Sequence, residues 1–337
     1  YEGAPVDDVR GATRLAFENL IATALRERVD LVVIGGDLYD GDWPDHNTGL
    51  FFVKGVTQLA EEGIPVAIVR GNHDAASKLT KSLRLPRNVH LLADAKPETV
   101  VLDQIGVAIH GQSFVTPAVL DDLASAYPAP IPDCFNIGLL HTSLNGRPGH
   151  DNYAPTTLSV LQGKGYDYWA LGHVHEYAVL QEDPWLVFPG NLQGRHIRET
   201  GAHGAVMVTA DEAGIHSVER LLVDSLRWHL VEVDAADAIT LEDVVRQVGR
   251  AFEQLVAATP DKIYLSVRVL IKGKTAAHGE LFGLESHLRE EIIGQAAGQG
   301  IDRMWVEKVR IETEPVTDAV EIAARSDAIA DLQGFLD

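Results

Sequence analysis

Four short apolar segments of this chain each end in polar side chains that can bind a metal, and this feature limits the possible folds more than any other. The four groups are, in chain order, Gly36-Asp37, Gly71-Asn72-His73-Asp74, His141 and Gly172-His173-Val174-His175. Each apolar segment predicts a buried strand, and an α/β sheet builds its site at the carboxyl ends of its strands. The pattern therefore predicts a helix-flanked sheet with four functional loops at one edge.

Each of these side chains also has a structural alternative when it is considered alone. Asp37 would cap a helix, Asn72 would lie in a turn, and His141 would be a hydrogen-bonded core residue. Four separate loops that carry ligand groups at the same end of the sheets weaken that explanation, and the adjacent glycines allow a close backbone approach. Imidazole, carboxylate and amide groups together are typical ligands of Mn²⁺, Fe²⁺ or Zn²⁺. We therefore expect a metal site at this edge.

Helical and strand patterns alternate at both ends of the chain, with a strand-rich region between them. The predicted elements are helix 8–28, strand 30–36, helix 48–62 and strand 65–70, then mostly strands from 100 to 233, then helix 241–258, strand 263–271, helix 280–297 and strand 304–311. The first alternation indicates a helix-flanked sheet, and the strand-rich region indicates a second sheet packed on it. We predict domains over residues 1–233 and 234–315, with 316–337 a C-terminal helix or tail.

The charge of the chain argues against a nucleic-acid ligand, with one local exception. There are 28 basic and 49 acidic residues, a formal net charge of −21, and such a chain repels a polyanion unless cations are concentrated locally. Residues 70–87 contain a single acidic residue, Asp74, and five basic residues: Arg70, Lys78, Lys81, Arg84 and Arg87. This stretch is either a phosphate-backbone contact or a solvated loop.

The sequence also predicts where the protein resides. No apolar run approaches the roughly 18 residues of a membrane-spanning helix, and no signal segment opens the chain. The single cysteine, Cys134, excludes an internal disulfide, as expected in a reducing compartment. We expect a cytoplasmic protein that does not insert into a membrane.

In order and spacing, the four polar groups resemble the motifs of the calcineurin-like metallophosphoesterases. They read Gly-Asp-x-x-Asp at 36–40, Gly-Asn-His-Asp at 71–74, an isolated His141, and Gly-His-x-His at 172–175. The segments Tyr168-Trp-Ala-Leu-Gly-His and Phe188-Pro-Gly-Asn, with the appended α/β module, resemble the SbcD/YhaO type of bacterial DNA-repair exonuclease. The resemblance implies an α/β (α+β) fold, a two-sheet αββα metallophosphoesterase sandwich with a smaller C-terminal α/β cap domain.

The resemblance also implies a role for each residue of the site. Five residues would bind two divalent ions: Asp37, Asn72, His141, His173 and His175. Asp37 would bridge the ions, and a hydroxide between them would attack a phosphodiester. His73 would be the catalytic histidine, oriented by Asp74. We expect Mn²⁺, with Fe²⁺, Zn²⁺ or Mg²⁺ as alternatives.

One family motif is absent from this sequence. An Asp-x-His motif precedes the first helix in the family, whereas this chain runs from Tyr1 directly into a predicted helix. Two ligands of one ion are therefore missing, and we expect that ion to bind weakly and an upstream segment to exist in the gene product. The expected substrate-binding residues lie elsewhere: Arg70, Lys78, Lys81, Arg84, Arg195 and His196.

Three classes of function remain open at this point. The first is a DNA exo/endonuclease subunit in DNA repair, for which the resemblance implies a homodimer and an SbcC-like ABC ATPase partner. The second is a metallophosphodiesterase for nucleotides or other small molecules, which the net charge of −21 favours. The third is a non-catalytic scaffold, if the first motif is truly absent.

Overall fold

The structure is a computed structural model that describes residues 6–38, 46–76, 84–146, 152–300 and 303–316. The chain divides into two compact units. Of the described residues, those within 10–194 and 202–225 form the larger unit, and those within 6–9, 195–201 and 226–316 form the smaller unit.

The larger unit is built from two sheets and a hairpin. Its elements are, in chain order, α1 (Val6–Glu27), β1 (Val32–Ile34), α2 (His46–Glu61), β2 (Val66–Ile68), α3 (Asn72–Ala76), β3 (Val89–Leu91), β4 (Glu98–Leu102), β5 (Val107–Gly111), β6 (Phe135–His141), α4 (Leu158–Gly163), β7 (Tyr168–Gly172), β8 (Ala178–Glu182), β9 (Trp185–Phe188), β10 (Gly204–Asp211) and β11 (Gly214–Leu222). The first sheet has the parallel order β1-β2-β3, the second the mixed order β4-β5-β6-β7-β9-β8, and β10 and β11 pair as the hairpin.

Alternation of side chains along β2 explains how the two sheets stack. Val66 and Ile68 point toward α1 and α2, where they join Leu59 in one apolar cluster. Ala67 and Val69 point the other way and pack against residues of β5, β6, β7 and β9 in the second sheet. Successive side chains of a strand face opposite sides, so a strand buried on both faces is apolar throughout.

A helix covers the outer face of the second sheet as well. Leu161 of α4 packs with Trp169 and Leu171 of β7, and the Trp169 indole N–H donates to the Leu161 carbonyl oxygen at 3.2 Å. The order of layers is therefore helix, sheet, sheet, helix, which confirms the predicted αββα sandwich.

The smaller unit has helices against a three-stranded parallel sheet. Its elements are β12 (Leu226–Asp234), α5 (Leu241–Ala257), β13 (Tyr264–Thr275), α6 (His278–Gly283), α7 (Glu285–Ala297) and β14 (Met304–Pro315), with the sheet order β12-β13-β14. Thr240 and Asp243 form a capping box at the start of α5, which satisfies two backbone N–H groups. The core lies between the helices and one face of the sheet, and includes Val267 and Val269.

Some elements differ from the sequence prediction. The helix predicted over 280–297 is two helices, because the backbone leaves the helical region at Leu284 (φ −127°, ψ 37°). The strand β12, at the end of the strand-rich region, pairs with β13 and belongs to the smaller unit. Of the predicted tail, residues 317–337 lie outside the described residues. No helix within the described ranges is long and apolar enough to span a membrane.

Candidate metal centre

The four sequence groups meet because glycines let the ends of β1, β2, β6 and β7 approach one another. A Cβ atom on Gly172 would overlap the carbonyl oxygen of Gly35, and one on Gly71 would lie 2.5 Å from Cε1 of His141. Asp37 and His173 adopt positive φ angles of 53° and 92°. Such backbone conformations cost about 1–3 kcal/mol and cluster at functional sites.

His141 lies at the centre of the cluster and is fully buried. Its Nδ1 lies 2.8 Å from the carbonyl oxygen of Gly35. A carbonyl oxygen only accepts, so Nδ1 carries the proton and Nε2 of the neutral ring presents a lone pair. That Nε2 lies 3.0 Å from Oδ1 of Asn72 and 3.4 Å from Oδ2 of Asp37.

The surroundings of His141 favour its neutral form. Burial, the largest effect, lowers the pKa of His141; Asp37 and the Gly35 hydrogen bond oppose the shift, and His73 and His175 add to it. A neutral Nε2 that faces two oxygen atoms places several lone pairs together. This arrangement is unfavourable until a cation lies between them.

The ligand atoms present fit a divalent ion. One ligand atom each of Asp37, His141 and His173 lies within 4.8 Å of the other two. The His141 and His173 rings meet edge to face, with centroids 5.1 Å apart. The set contains nitrogen, carboxylate and, from Asn72, amide oxygen, which suits Mn²⁺, Fe²⁺ or Zn²⁺. Four of the five predicted ligands therefore lie together.

His73 and Asp74 occupy the short helix α3 beside this cluster. The backbone N–H of His73 donates to Oδ1 of Asp37 at 3.0 Å. Asp74 is buried, and its Oδ2 accepts the N–H of Gly71 at 3.0 Å. These bonds fix the turn that carries Asn72 and orient the Asp37 carboxylate toward His141.

His175, the fifth predicted ligand, is only partly buried. Its carbonyl oxygen accepts the backbone N–H of Asn191 at 3.1 Å, and a Cβ on Gly190 would lie 2.7 Å from the same oxygen. The Phe188-Pro-Gly-Asn segment therefore packs directly on the loop that carries His173 and His175.

Comparison with known proteins agrees with this geometry. The family described as calcineurin-like phosphoesterase matches residues 11–177, which contain all five predicted ligand positions. The chain is 31% identical over 316 residues to the uncharacterized metallophosphoesterase YhaO of Bacillus subtilis, a match that spans 92% of this chain and 76% of that protein. This chain is a calcineurin-like metallophosphoesterase.

Two further comparisons concern the smaller unit and the Mre11 proteins. The family described as metallophosphoesterase YhaO, middle domain, matches residues 228–314. The DNA double-strand break repair protein Mre11 of Saccharolobus solfataricus is 28% identical over 175 residues, covering 50% of this chain and 44% of that protein. Mre11 of Methanopyrus kandleri is 26% identical over 262 residues, covering 69% and 56%.

The residues predicted to bind substrate have varied surroundings. Arg70 of the metallophosphoesterase is partly buried and forms an ion pair with Asp94, while Arg84 is exposed. Lys78 and Lys81 lie outside the described residues. The predicted basic stretch was counted along the sequence, so it omitted Asp94, which folding brings to Arg70.

Arg195 and His196 share one acidic neighbour. Nη2 of Arg195 lies 3.2 Å from Oε1 of Glu199, and Nε2 of His196 lies 4.0 Å from the same oxygen. Glu199 is buried, whereas His196 is exposed. Their predicted contact with substrate stays a prediction.

Sequence reasoning missed two aromatic walls of the metal centre. The Phe114 ring meets His141 edge to face at 5.1 Å, and the Tyr153 ring lies 5.8 Å from that of His173. Neither residue directly follows a predicted strand or belongs to one of the four polar groups, so no local pattern indicates them. Apolar walls exclude water and strengthen the electrostatic interactions inside the site.

Proposed function

We propose that this phosphoester hydrolase acts on phosphodiester bonds of DNA, as an exo/endonuclease subunit in DNA repair. The observation that carries the proposal is the convergence of Asp37, His141 and His173 within 4.8 Å, beside the histidine of the Gly-Asn-His-Asp motif. The similarity to Mre11 proteins, named for DNA double-strand break repair, supports the choice of DNA.

Asp37, Asn72, His141 and His173 would hold one divalent ion, for which we propose Mn²⁺, with Fe²⁺, Zn²⁺ or Mg²⁺ as alternatives. Among the described residues, Asp37 and His175 would hold a second, weaker one. A divalent ion bound there supplies Lewis-acid chemistry, which lowers the pKa of water and neutralises charge on phosphate oxygens.

His73 is the proposed general acid. Its backbone N–H donates a hydrogen bond to Asp37. This bond holds the backbone of His73 in place beside the proposed ligands. Transfer of a proton from the imidazole to the leaving oxygen would raise the rate about 10²- to 10⁴-fold. Asp74, held by the Gly71 N–H, is the proposed residue that orients His73.

The proposal includes partners and a location. We propose a homodimer, an SbcC-like ABC ATPase partner and a cytoplasmic site of action. The similarity to Mre11 proteins supports these partners.

A phosphodiesterase of small molecules is the second candidate. It is favoured by the net charge of −21 and by the ion pairs that already occupy Arg70 and Arg195. Both features reduce the attraction of a long polyanion.

One experiment tests the proposal and separates the candidates. The full chain is loaded with Mn²⁺ and assayed on end-labelled linear duplex DNA and on bis(p-nitrophenyl) phosphate. His173→Ala removes a ligand, and His216→Ala, on an exposed ion pair of the β10–β11 hairpin, is the matched control. We expect DNA cleavage that His173→Ala abolishes and His216→Ala retains; hydrolysis of the small ester alone would refute the DNA assignment.

A further inference from the structure

A basic cleft lies in the smaller unit, within the part that matches the YhaO middle domain. It measures about 470 Å³ and is lined by Arg268, Arg289, Glu307, Lys308 and Val309. Its lining residues come from β13, α7 and β14. None of them belongs to the metal centre or to the predicted substrate-binding residues.

An irregularity in strand pairing shapes this cleft. Val267 of β13 pairs with Val306 of β14, but the next residue, Arg268, pairs with Lys308, so Glu307 is an extra residue. Such a bulge redirects side chains. Glu307 meets Arg268 in a two-point contact, with Nε–Oε2 and Nη2–Oε1 both 2.7 Å. This pair is largely buried, at 19% and 6% side-chain accessibility.

The charge of the lining is unbalanced. Three cations accompany one carboxylate, and that carboxylate is already engaged by Arg268. In the described part of the chain, Arg289 and Lys308 have no carboxylate within 4.0 Å. Glu285 lies one turn before Arg289 on α7. A net positive cleft in a chain of net charge −21 attracts anions locally.

We propose that this cleft binds a phosphate group, carried by a nucleic-acid strand or by a free nucleotide. Guanidinium groups and a lysine ammonium are the side chains that recognise phosphate oxygens. The volume falls within the roughly 300–1,000 Å³ of ligand pockets. The proposal requires no catalysis and stands apart from the metal centre.

Protection of a sheet edge explains only part of the cleft. The strand β14 lies at the edge of its sheet, and edge strands often carry a bulge and a lysine that discourage pairing with other chains. That role accounts for Lys308 and the bulge. It does not account for Arg289, which reaches the same cleft from α7.

The test measures binding by the full chain with EDTA present, so that failure of the proposed nuclease does not affect it. The probe is a short fluorescent DNA duplex titrated at several salt concentrations, with inorganic phosphate, AMP and polyglutamate as competitors. The variant is Arg289→Ala with Lys308→Ala. The matched control is Arg246→Ala with Lys262→Ala, two exposed cations of the same unit outside the cleft.

The cleft variant should bind the duplex at least about tenfold more weakly, with a salt slope smaller by about 0.9 for each lost phosphate contact. The control should bind within about twofold of the wild type. The charge-conserving variant Arg289→Lys with Lys308→Arg should also bind within about twofold. Urea denaturation checks that this variant is folded. If AMP and phosphate compete with the duplex, the natural ligand is a free nucleotide. If they do not compete, the natural ligand is a nucleic-acid strand. Three results would overturn the proposal. They are a wild-type protein that does not bind the duplex, a control variant that loses as much affinity as the cleft variant, and polyglutamate that competes as strongly as unlabelled duplex.

Discussion

A single methyl group added at Gly71 should disable the metal centre without unfolding the protein. A Cβ at this position would lie 2.5 Å from Cε1 of His141 and 2.8 Å from the backbone nitrogen of Asp37, and closer still to Oδ1 of Asp37. Real Cβ contacts essentially never fall below 3.0 Å, so both His141 and Asp37 must give way, His141 by at least about 0.5 Å and the Asp37 carboxylate by more. A binding constellation has to be held within about 0.5 Å to function.

The expected result of Gly71→Ala has two parts. The overpacking should cost about 1–3 kcal/mol of unfolding free energy, and the displaced ligands should weaken metal binding at least as much as loss of a supporting contact does, about 10- to 100-fold. Mn²⁺ affinity is measured by calorimetry on metal-free protein, and stability by urea unfolding.

The matched control is Gly11→Ala. A Cβ on Gly11 of α1 meets nothing within 4 Å, so alanine should raise stability by about 1 kcal/mol, because it favours the helix. Its Mn²⁺ affinity should equal that of the wild type. Wild-type affinity in Gly71→Ala would refute the packing of Asp37 and His141 described above.

Three further predictions concern other parts of the molecule. His73→Ala should leave metal content near that of the wild type while activity with Mn²⁺ falls at least about tenfold, which metal analysis and turnover measure together; unchanged turnover would remove His73 from the mechanism. Neutralising Lys78, Lys81 and Arg84 should lower the salt slope of duplex binding by about 0.9 for each lost contact and leave aryl phosphodiester hydrolysis within about twofold; equal losses on both substrates would indicate a structural role. His110 is fully buried and burial lowers its pKa. Below about pH 6.5, His110 therefore binds a proton in the unfolded chain more readily than in the folded protein. The free energy of unfolding then falls by at most about 1.4 kcal/mol per pH unit. Urea unfolding of His110→Gln from pH 7.5 to 5.5 should show a smaller decline than the wild type, and parallel curves would contradict this.

The convergence of the metal-centre side chains is predictable because local sequence encodes it. Asp37, Asn72, His141 and His173 each follow an apolar strand, and parallel strands bring their carboxyl ends to one edge. The same rule that predicts the strands therefore predicts which residues meet.

Other features depend on pairings that no local pattern reveals. The ion pair of Arg70 with Asp94 joins residues 24 positions apart, and the bulge at Glu307 appears only when β13 and β14 are aligned. β12 is the last strand of the strand-rich region in sequence but pairs with β13, because parallel pairing is decided by tertiary contacts.

The central claim is that Asp37, Asn72, His141 and His173 bind a divalent ion. The most direct test is anomalous diffraction from crystals of the protein soaked in Zn²⁺, recorded for the wild type and for His173→Ala. We predict a strong peak about 2.0–2.1 Å from Nε2 of His141 in the wild type, and a weak or absent peak in the variant. A wild-type map without a peak among these four side chains, or an undiminished peak in His173→Ala, would contradict the account.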